Sequence, residues 1–261
     1  MLTSPEPLQR QFTVERIERL QYWSPTLWSL RITRPQGFRF QPGHYARLGL
    51  SIHDAEKPGT TIWRPYSIVS AAADDGLDFL ITLLPGGAFT SQLASCAVGQ
   101  SLALESAALG FFVVSQLSSG EDLWMLATGA GLGPYVSLLR TEGVLQRFSR
   151  LVLVHAVRHA ADLAYADELY ALAGASGGRL RYLPIVTCDP GVTSLQGRIP
   201  ALLSSGELQA EAGVALEAAH SRVMVCGNPD FTADMRKFLS VRGFQPCRRG
   251  LVGSMLFENY W

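Results

Sequence analysis

Thr61-Ile62-Trp63-Arg64-Pro65-Tyr66-Ser67-Ile68-Val69-Ser70 is a run of alternating apolar residues rich in β-branched and aromatic side chains. That pattern predicts a β-strand with one buried face. Successive side chains of a strand point to opposite faces. Arg64 and Tyr66 therefore share one face, and Ser67 takes the other or sits at the strand edge. A cation, a phenol and a hydroxyl within four residues can hold a flat, hydrogen-bonding ligand that carries phosphate. Tyr66 would stack on it, Arg64 would meet an anion, and Ser67 would hydrogen-bond its edge. Taken alone, the four residues fit a plain strand with a surface arginine and a half-buried tyrosine equally well.

Outward from this run, the chain to about Gly120 reads as β-rich. Strands are expected at Phe12–Leu20, Leu27–Ile32, Tyr45–Leu50, Ile62–Ser70, Leu77–Leu84 and Ser101–Glu105. Turn signals such as Arg34-Pro35-Gln36-Gly37 and Asp74-Asp75-Gly76 separate them. Six strands at this spacing predict a small antiparallel β-barrel. Before the last strand, Pro85-Gly86-Gly87-Ala88-Phe89-Thr90-Ser91 reads as a glycine turn entering a short helix over Thr90–Cys96, with Thr90 as N-cap. A helix start with free N–H groups makes an anion site; an ordinary turn is the plain alternative.

From Asp122 the rhythm changes to strands alternating with helices. Strands are expected at Leu123–Thr128, Leu151–Val157, Leu180–Val186 and Arg222–Cys226. Helices are expected over Pro134–Gln146, Asp162–Leu172 and Pro229–Val241, with another starting at Arg198–Leu203. This is the pattern of a parallel sheet covered on both faces, a nucleotide-binding architecture. The polar Ser115–Glu121 stretch divides the chain into 1–118 and 119–261.

Thr128-Gly129-Ala130-Gly131-Leu132-Gly133-Pro134 leaves the first strand of that sheet. Its spacing is G-x-G-x-G rather than the dinucleotide fingerprint G-x-G-x-x-G. The physics is similar: glycines clear the strand exit, and the following helix offers N–H donors to phosphate. Cys226-Gly227-Asn228-Pro229 ends the last expected strand, at the carboxyl end where open parallel sheets bind ligands.

Composition narrows the class. The 261 residues carry 22 basic and 22 acidic side chains, nine of each through Ser118, so global charge gives no case for nucleic acid. The four cysteines are scattered without metal or iron–sulfur spacing. No H-E-x-x-H or G-x-S-x-G occurs, so neither a zinc protease nor a serine hydrolase is indicated. The polar Met1–Arg10 segment has no apolar signal core, and no run approaches the roughly 18 apolar residues of a membrane span. A cytoplasmic protein with reduced thiols is expected.

Together with the terminal Phe257-Glu258-Asn259-Tyr260-Trp261, these stretches resemble the ferredoxin–NADP(+) reductase family in its bacterial form ending in an aromatic residue. The resemblance runs from about Phe12 to Trp261. It implies that the barrel is an FAD domain. Arg64, Pro65, Tyr66 and Ser67, the turn Gly87, Ala88, Phe89 and Thr90, and Trp261 would then hold FAD, with Tyr66 and Trp261 sandwiching the flavin. It implies that Thr128, Gly129, Gly131, Gly133, Cys226, Gly227 and Asn228 hold NADP(H), with Arg158 and Arg198 clamping its 2′-phosphate. Relatives carry a further arginine where this chain has Cys188, which weakens the expected preference for NADP over NAD. Ser67, Cys226, Glu258 and Trp261 are the implied catalytic set, Cys226 in a steric role beside the nicotinamide, and no metal is implied.

The implied activity is electron transfer between NADPH, as hydride, and ferredoxin or flavodoxin, one electron at a time, by a monomer. An NAD(P)H-dependent flavin reductase or an oxygenase reductase component is the alternative enzyme, and a flavin-binding redox sensor the non-enzymatic one. Between Met235 and Phe257 no acidic residue occurs, whereas Arg236, Lys237, Arg242, Arg248 and Arg249 do. A positive patch near the electron exit, steering an acidic carrier, is expected there.

Overall fold

The structure, a computed structural model, describes residues 11–51 and 60–259. Six strands form the first half: β1 Phe12–Ser24, β2 Leu27–Thr33, β3 Tyr45–Ser51, β4 Thr61–Ser67, β5 Gly76–Thr82 and β6 Ser101–Glu105. All their pairings are antiparallel, in the order β4-β3-β6-β1-β2-β5. Ile17, Leu30, Ile32, Leu48, Phe79 and Leu104 fill the concave side. Pro65, which has no N–H to donate, is tolerated because β4 lies at the sheet's edge.

The expected barrel is not closed by a ladder. Its end strands meet through an isolated bridge, Ile68 to Phe79, and the bond from Val69 N–H to the Asp78 carbonyl (2.8 Å). The reason lies just past β4. There the chain is committed to the second half: the Ser70 carbonyl accepts from Ser137 Oγ (2.6 Å) and the Val69 carbonyl from Arg140 (3.4 Å). The expected strand to Ser70 therefore ends at Ser67.

Between β5 and β6 lies α1, Ala88–Leu93. The second half holds β7 Asp122–Thr128, α2 Gly133–Arg140, β8 Arg150–Val157, α3 Ala166–Ala175 and β9 Leu180–Val186. It continues with α4 Ile199–Ser205, α5 Glu207–Ala212, β10 Ser221–Gly227, α6 Pro229–Ser240 and β11 Met255–Asn259. The sheet is wholly parallel, ordered β11-β10-β7-β8-β9. One face packs Met125, Leu153 and Met224 on Tyr135, and the other packs Trp124, Val152 and Val225 on Phe231 and Met235. Both faces being buried explains the unbroken apolar strands.

Several expectations shift here, and the helix expected to Gln146 ends at Arg140. The helix expected from Asp162 starts at Ala166, because Tyr165 takes a left-handed conformation (φ +59°) that no helix continues through. Phe257, Glu258 and Asn259 of the terminal stretch belong to the parallel edge strand β11, and the aromatic pair Tyr260 and Trp261 read as a docking tail lies outside the described residues. Tyr165 also joins the halves: its hydroxyl lies 2.6 Å from Ser29 Oγ, which accepts from Trp23 Nε1 (2.7 Å). Among the described residues no helix is long and apolar enough to cross a membrane.

Candidate dinucleotide and flavin site

Cys226 and Glu258 are register partners on β10 and β11, so β11 delivers the carboxylate directly beside the thiol. Ser67, at the end of β4, reaches across from the other half and donates to Glu258 Oε2 at 2.9 Å. Cys226 Sγ lies 3.9 Å from the same oxygen. Three of the expected catalytic residues thus meet at one carboxyl end of the sheet. Trp261, the fourth, lies outside the described residues.

The electrostatics follow from the enclosure. Ser67 and Cys226 are fully buried, and Glu258 sits half-buried at the rim. Burial pushes the Glu258 carboxyl up to about 7, against the opposing hydrogen bonds from Ser67 and Cys226. Burial, then the nearby Glu258 charge, holds the Cys226 thiol well above its ordinary value, so it stays protonated. The cluster therefore places a carboxyl with a raised pKa in hydrogen bond with the Ser67 hydroxyl. Below it Tyr135 is fully buried, its hydroxyl donating to the Leu126 carbonyl (3.2 Å).

A cleft of about 980 Å3 opens between the strand ends of the parallel sheet and Thr26, Leu27 and Thr82 of the first half; Ser67, Cys226 and Glu258 are not among its lining residues, and Asp162, Asp230 and Asp234 are. Thr128, Gly129, Asn228, Arg158 and Arg198 all line it, as does Cys188. Arg158 and Arg198 are exposed, and Arg198 sits immediately before α4. Hydroxyl, amide and guanidinium donors around a cleft of this volume fit a nucleotide with several phosphates.

The glycines divide the work. Gly129 (φ +52°) lines the cleft with nothing within 4 Å of where a Cβ would stand. A Cβ on Gly131 would lie 2.4 Å from the Cys226 carbonyl oxygen, so that glycine lets the two loops pack. Gly133 begins α2, one residue before the expected start, and abuts Val69 of the first half. Gly227 faces Thr128 Oγ1, where a Cβ would stand 2.1 Å away. Asn228 caps α6, accepting from Phe231 N–H (2.9 Å).

On the flavin side, Tyr66 and Phe89 are buried with ring centroids 5.5 Å apart. Phe89 can thus offer a ligand only its backbone. Arg64 is exposed and donates to the Trp63 carbonyl (2.9 Å), leaving guanidinium donors for an anion. Thr90 is not the N-cap. Gly87 holds that place, and Thr90 Oγ1 turns back to the Leu84 carbonyl at 2.9 Å. The Gly87 N–H is taken up by the Leu84 carbonyl (3.0 Å), so the turn's candidate anion donors are the backbone N–H groups of Ala88, Phe89 and Thr90 at the start of α1.

The basic residues separate. Arg236 and Lys237 flank a groove of about 340 Å3 beside Asn259, with the Arg236 guanidinium 4.1 Å over the Phe257 ring. Arg248 and Arg249 lie on the tight turn closed by Arg248 and Leu251, before β11 begins. That is the amino end of the sheet, at least about 10 Å of strand from Glu258 at roughly 3.3 Å per residue. The single patch expected from Arg236 to Arg249 is therefore split: Arg248 and Arg249 lie at the amino end of the sheet, and Arg236 and Lys237 lie beside Asn259 at its carboxyl end.

The family model of an oxidoreductase FAD-binding domain matches residues 17–112, and that of an oxidoreductase NAD-binding domain matches 125–237. A flavodoxin/ferredoxin–NADP reductase of Escherichia coli is 37% identical over 247 residues, 94% of this chain and 97% of that protein. The chain belongs to the ferredoxin/flavodoxin–NADP reductase family. A second family member, ferredoxin–NADP reductase A of Sorangium cellulosum, is also 37% identical, over 95% of this chain and 90% of its own length. The crystal structure of a ferredoxin NADP+ reductase from Neisseria gonorrhoeae, with bound FAD and NADP, superposes with a TM-score of 0.89 at 31% identity, over 97% of this chain and 100% of that one. The reductase-family fold thus extends across both halves.

Proposed function

We infer that this chain is an FAD-dependent oxidoreductase that moves electrons between NADPH, as hydride, and ferredoxin or flavodoxin, singly. The observation that carries the reading is the meeting of Ser67, Cys226 and Glu258, from two halves, at the carboxyl end of a sheet whose strand ends also border a cleft lined by Thr128, Asn228, Arg158 and Arg198. FAD, when bound, supplies the exchange between two-electron and one-electron chemistry. The protein's share is to bind, orient and hold protons. Arg64 and the backbone N–H groups that open α1 at Ala88, Phe89 and Thr90 hold flavin phosphate, and Tyr66 gives the ring a packed wall. Cys226 keeps the nicotinamide space narrow and uncharged. Glu258 stores a proton that Ser67 can relay. Thr128, Gly129, Asn228, Arg158 and Arg198 hold the dinucleotide, and the two functional units divide near Ser118.

A single experiment tests this reading. The purified protein should show flavin absorption bands that NADPH bleaches and that ferredoxin or flavodoxin restores. Absence of flavin, or bands indifferent to NADPH, overturns it. A preference for free flavin over either carrier protein points instead to a flavin reductase.

Cys188 bears on nucleotide choice, since its thiol stands in the cleft with Arg158 and Arg198. A hydrogen bond to a charged group contributes about 1.5–3 kcal/mol, so its absence lowers NADP preference by roughly one to two decades. The unmodified protein should still favour NADPH through its two arginines, and Cys188→Arg should sharpen the NADPH/NADH ratio of kcat/KM by about tenfold or more. An unchanged ratio rejects that assignment.

Carrier docking falls to the groove flanked by Arg236 and Lys237. Replacing both with glutamine should slow reduction of an acidic carrier about tenfold at low salt and spare a small neutral acceptor. Salt should erase the difference by screening. Equal slowing of both acceptors rules the groove out.

A further inference from the structure

His155 lies in β8, fully buried, opposite Ala127 at the end of β7. Its Nε2 is 3.0 Å from the Gly129 carbonyl oxygen. A carbonyl only accepts, so Nε2 carries the hydrogen and Nδ1 is bare. Nδ1 is buried with no partner among the described residues. Burial holds the imidazole at about 4, with the Gly129 bond and the Asp162 charge opposing, so the ring is neutral at neutral pH. A polar ring with one unsatisfied nitrogen is a costly filling for this place. An apolar side chain would pack without that cost, and the Gly129 bond is what the ring adds.

Gly129 opens the 3-10 turn Gly129–Leu132, and both it and Ala130 line the cleft. In a trans peptide the carbonyl and the next N–H point in opposite directions. The Gly129 carbonyl is drawn inward to His155, so the Ala130 N–H faces outward. We propose that His155 is a positioning residue: by holding the Gly129 carbonyl inward, it aims the Ala130 N–H at a phosphate of the nicotinamide dinucleotide. Glycine at φ +52° turns its peptide plane at little cost, and the His155 bond adds a second restraint to the i→i+3 bonding of the 3-10 turn itself. The tether belongs to the second layer of the site and touches no ligand itself. The proposal rests on the dinucleotide reading above.

Isothermal titration of NADP+ into the oxidised FAD-loaded protein tests it without turnover. His155→Gln places an amide nitrogen where Nε2 stands, whereas His155→Asn reaches only the Nδ1 position. The glutamine variant should bind NADP+ within about threefold of the unmodified protein, and the asparagine variant about tenfold or more weakly. KM for NADPH should rise in the asparagine variant with kcat within about twofold. Equal affinity in all three proteins overturns the proposal, as does equal weakening in both variants. In the unmodified protein, NADP+ should also protect the Ala130 amide from hydrogen exchange. Lack of that protection overturns the proposal whether or not the variants fold. If the unmodified protein bleaches with no nicotinamide nucleotide and binds no NADP+, the dinucleotide reading has failed first and the proposal goes with it.

Discussion

Glu258→Gln is expected to lower NADPH oxidation about a hundredfold while making the protein more stable at pH 8. The two effects share one cause. The carboxyl, pushed up to about 7 by burial, keeps a proton in the folded chain that it loses near 4.5 when unfolded. Between those values the folded state binds more protons, so stability falls as pH rises from about 4.5 through 7 and stays low above. A shift of that size sets a ceiling near 3 kcal/mol at about 1.36 kcal/mol per unit, and partial exposure at the rim reduces it to about 2 kcal/mol. Glutamine has no such proton to lose. The variant should melt several degrees higher than the unmodified protein at pH 8, with the gain fading toward pH 5. Activity moves the other way, because positioned acid–base groups contribute about 10² to 10⁴ in rate and glutamine cannot pass a proton to Ser67. Melting curves at the two pH values, with rates beside them, decide the matter. An unchanged rate, or a variant less stable at both pH values, removes Glu258 from the role assigned to it.

The elements that could be read from the sequence are those whose cause is local. Alternation along Thr61–Ser67 declared β4, and the unbroken apolar runs at β7, β8 and β10 declared a sheet buried on both faces. What could not be read depends on distant partners. Closure of the barrel turns on where Ile68 to Ala72 go, and contacts with Ser137, Arg140 and Thr141 decide that. Met255–Asn259 has no strong strand period, and becomes β11 because β10 offers an open edge. Thr90 looked like a cap by type, yet its hydroxyl has a nearer acceptor in Leu84. Arg248 and Arg249 looked close to the terminal residues by number, but a strand carries its two ends apart. His155 was visible only as a neighbour of Arg158. Nothing in the sequence marks a histidine whose partner is the Gly129 carbonyl on the adjoining turn.

The glycines of Gly129-Ala130-Gly131-Leu132-Gly133 look interchangeable in sequence and are expected to respond very differently to the same methyl group. At Gly131 an added Cβ would stand 2.4 Å from the Cys226 carbonyl oxygen and 2.7 Å from its carbon. Both are backbone atoms of the interior strand β10, which pairs with β7 and β11 on its two sides, so no flexible side chain can yield. The loops must part instead. Overpacking of this kind costs typically 1–3 kcal/mol, and the rigid neighbour places Gly131→Ala near the top of that range, about 3 kcal/mol. Parting the loops also moves Cys226 away from Glu258 and Thr128 away from Asn228, so NADP+ affinity should drop by about a hundredfold. At Gly129 the methyl group meets open space, and the cost is the left-handed backbone, about 1 kcal/mol. Chemical denaturation of Gly129→Ala and Gly131→Ala, with NADP+ titrated into each, separates crowding from conformation. Similar losses in the two variants would mean that the turn and the Cys226 loop are not packed backbone to backbone.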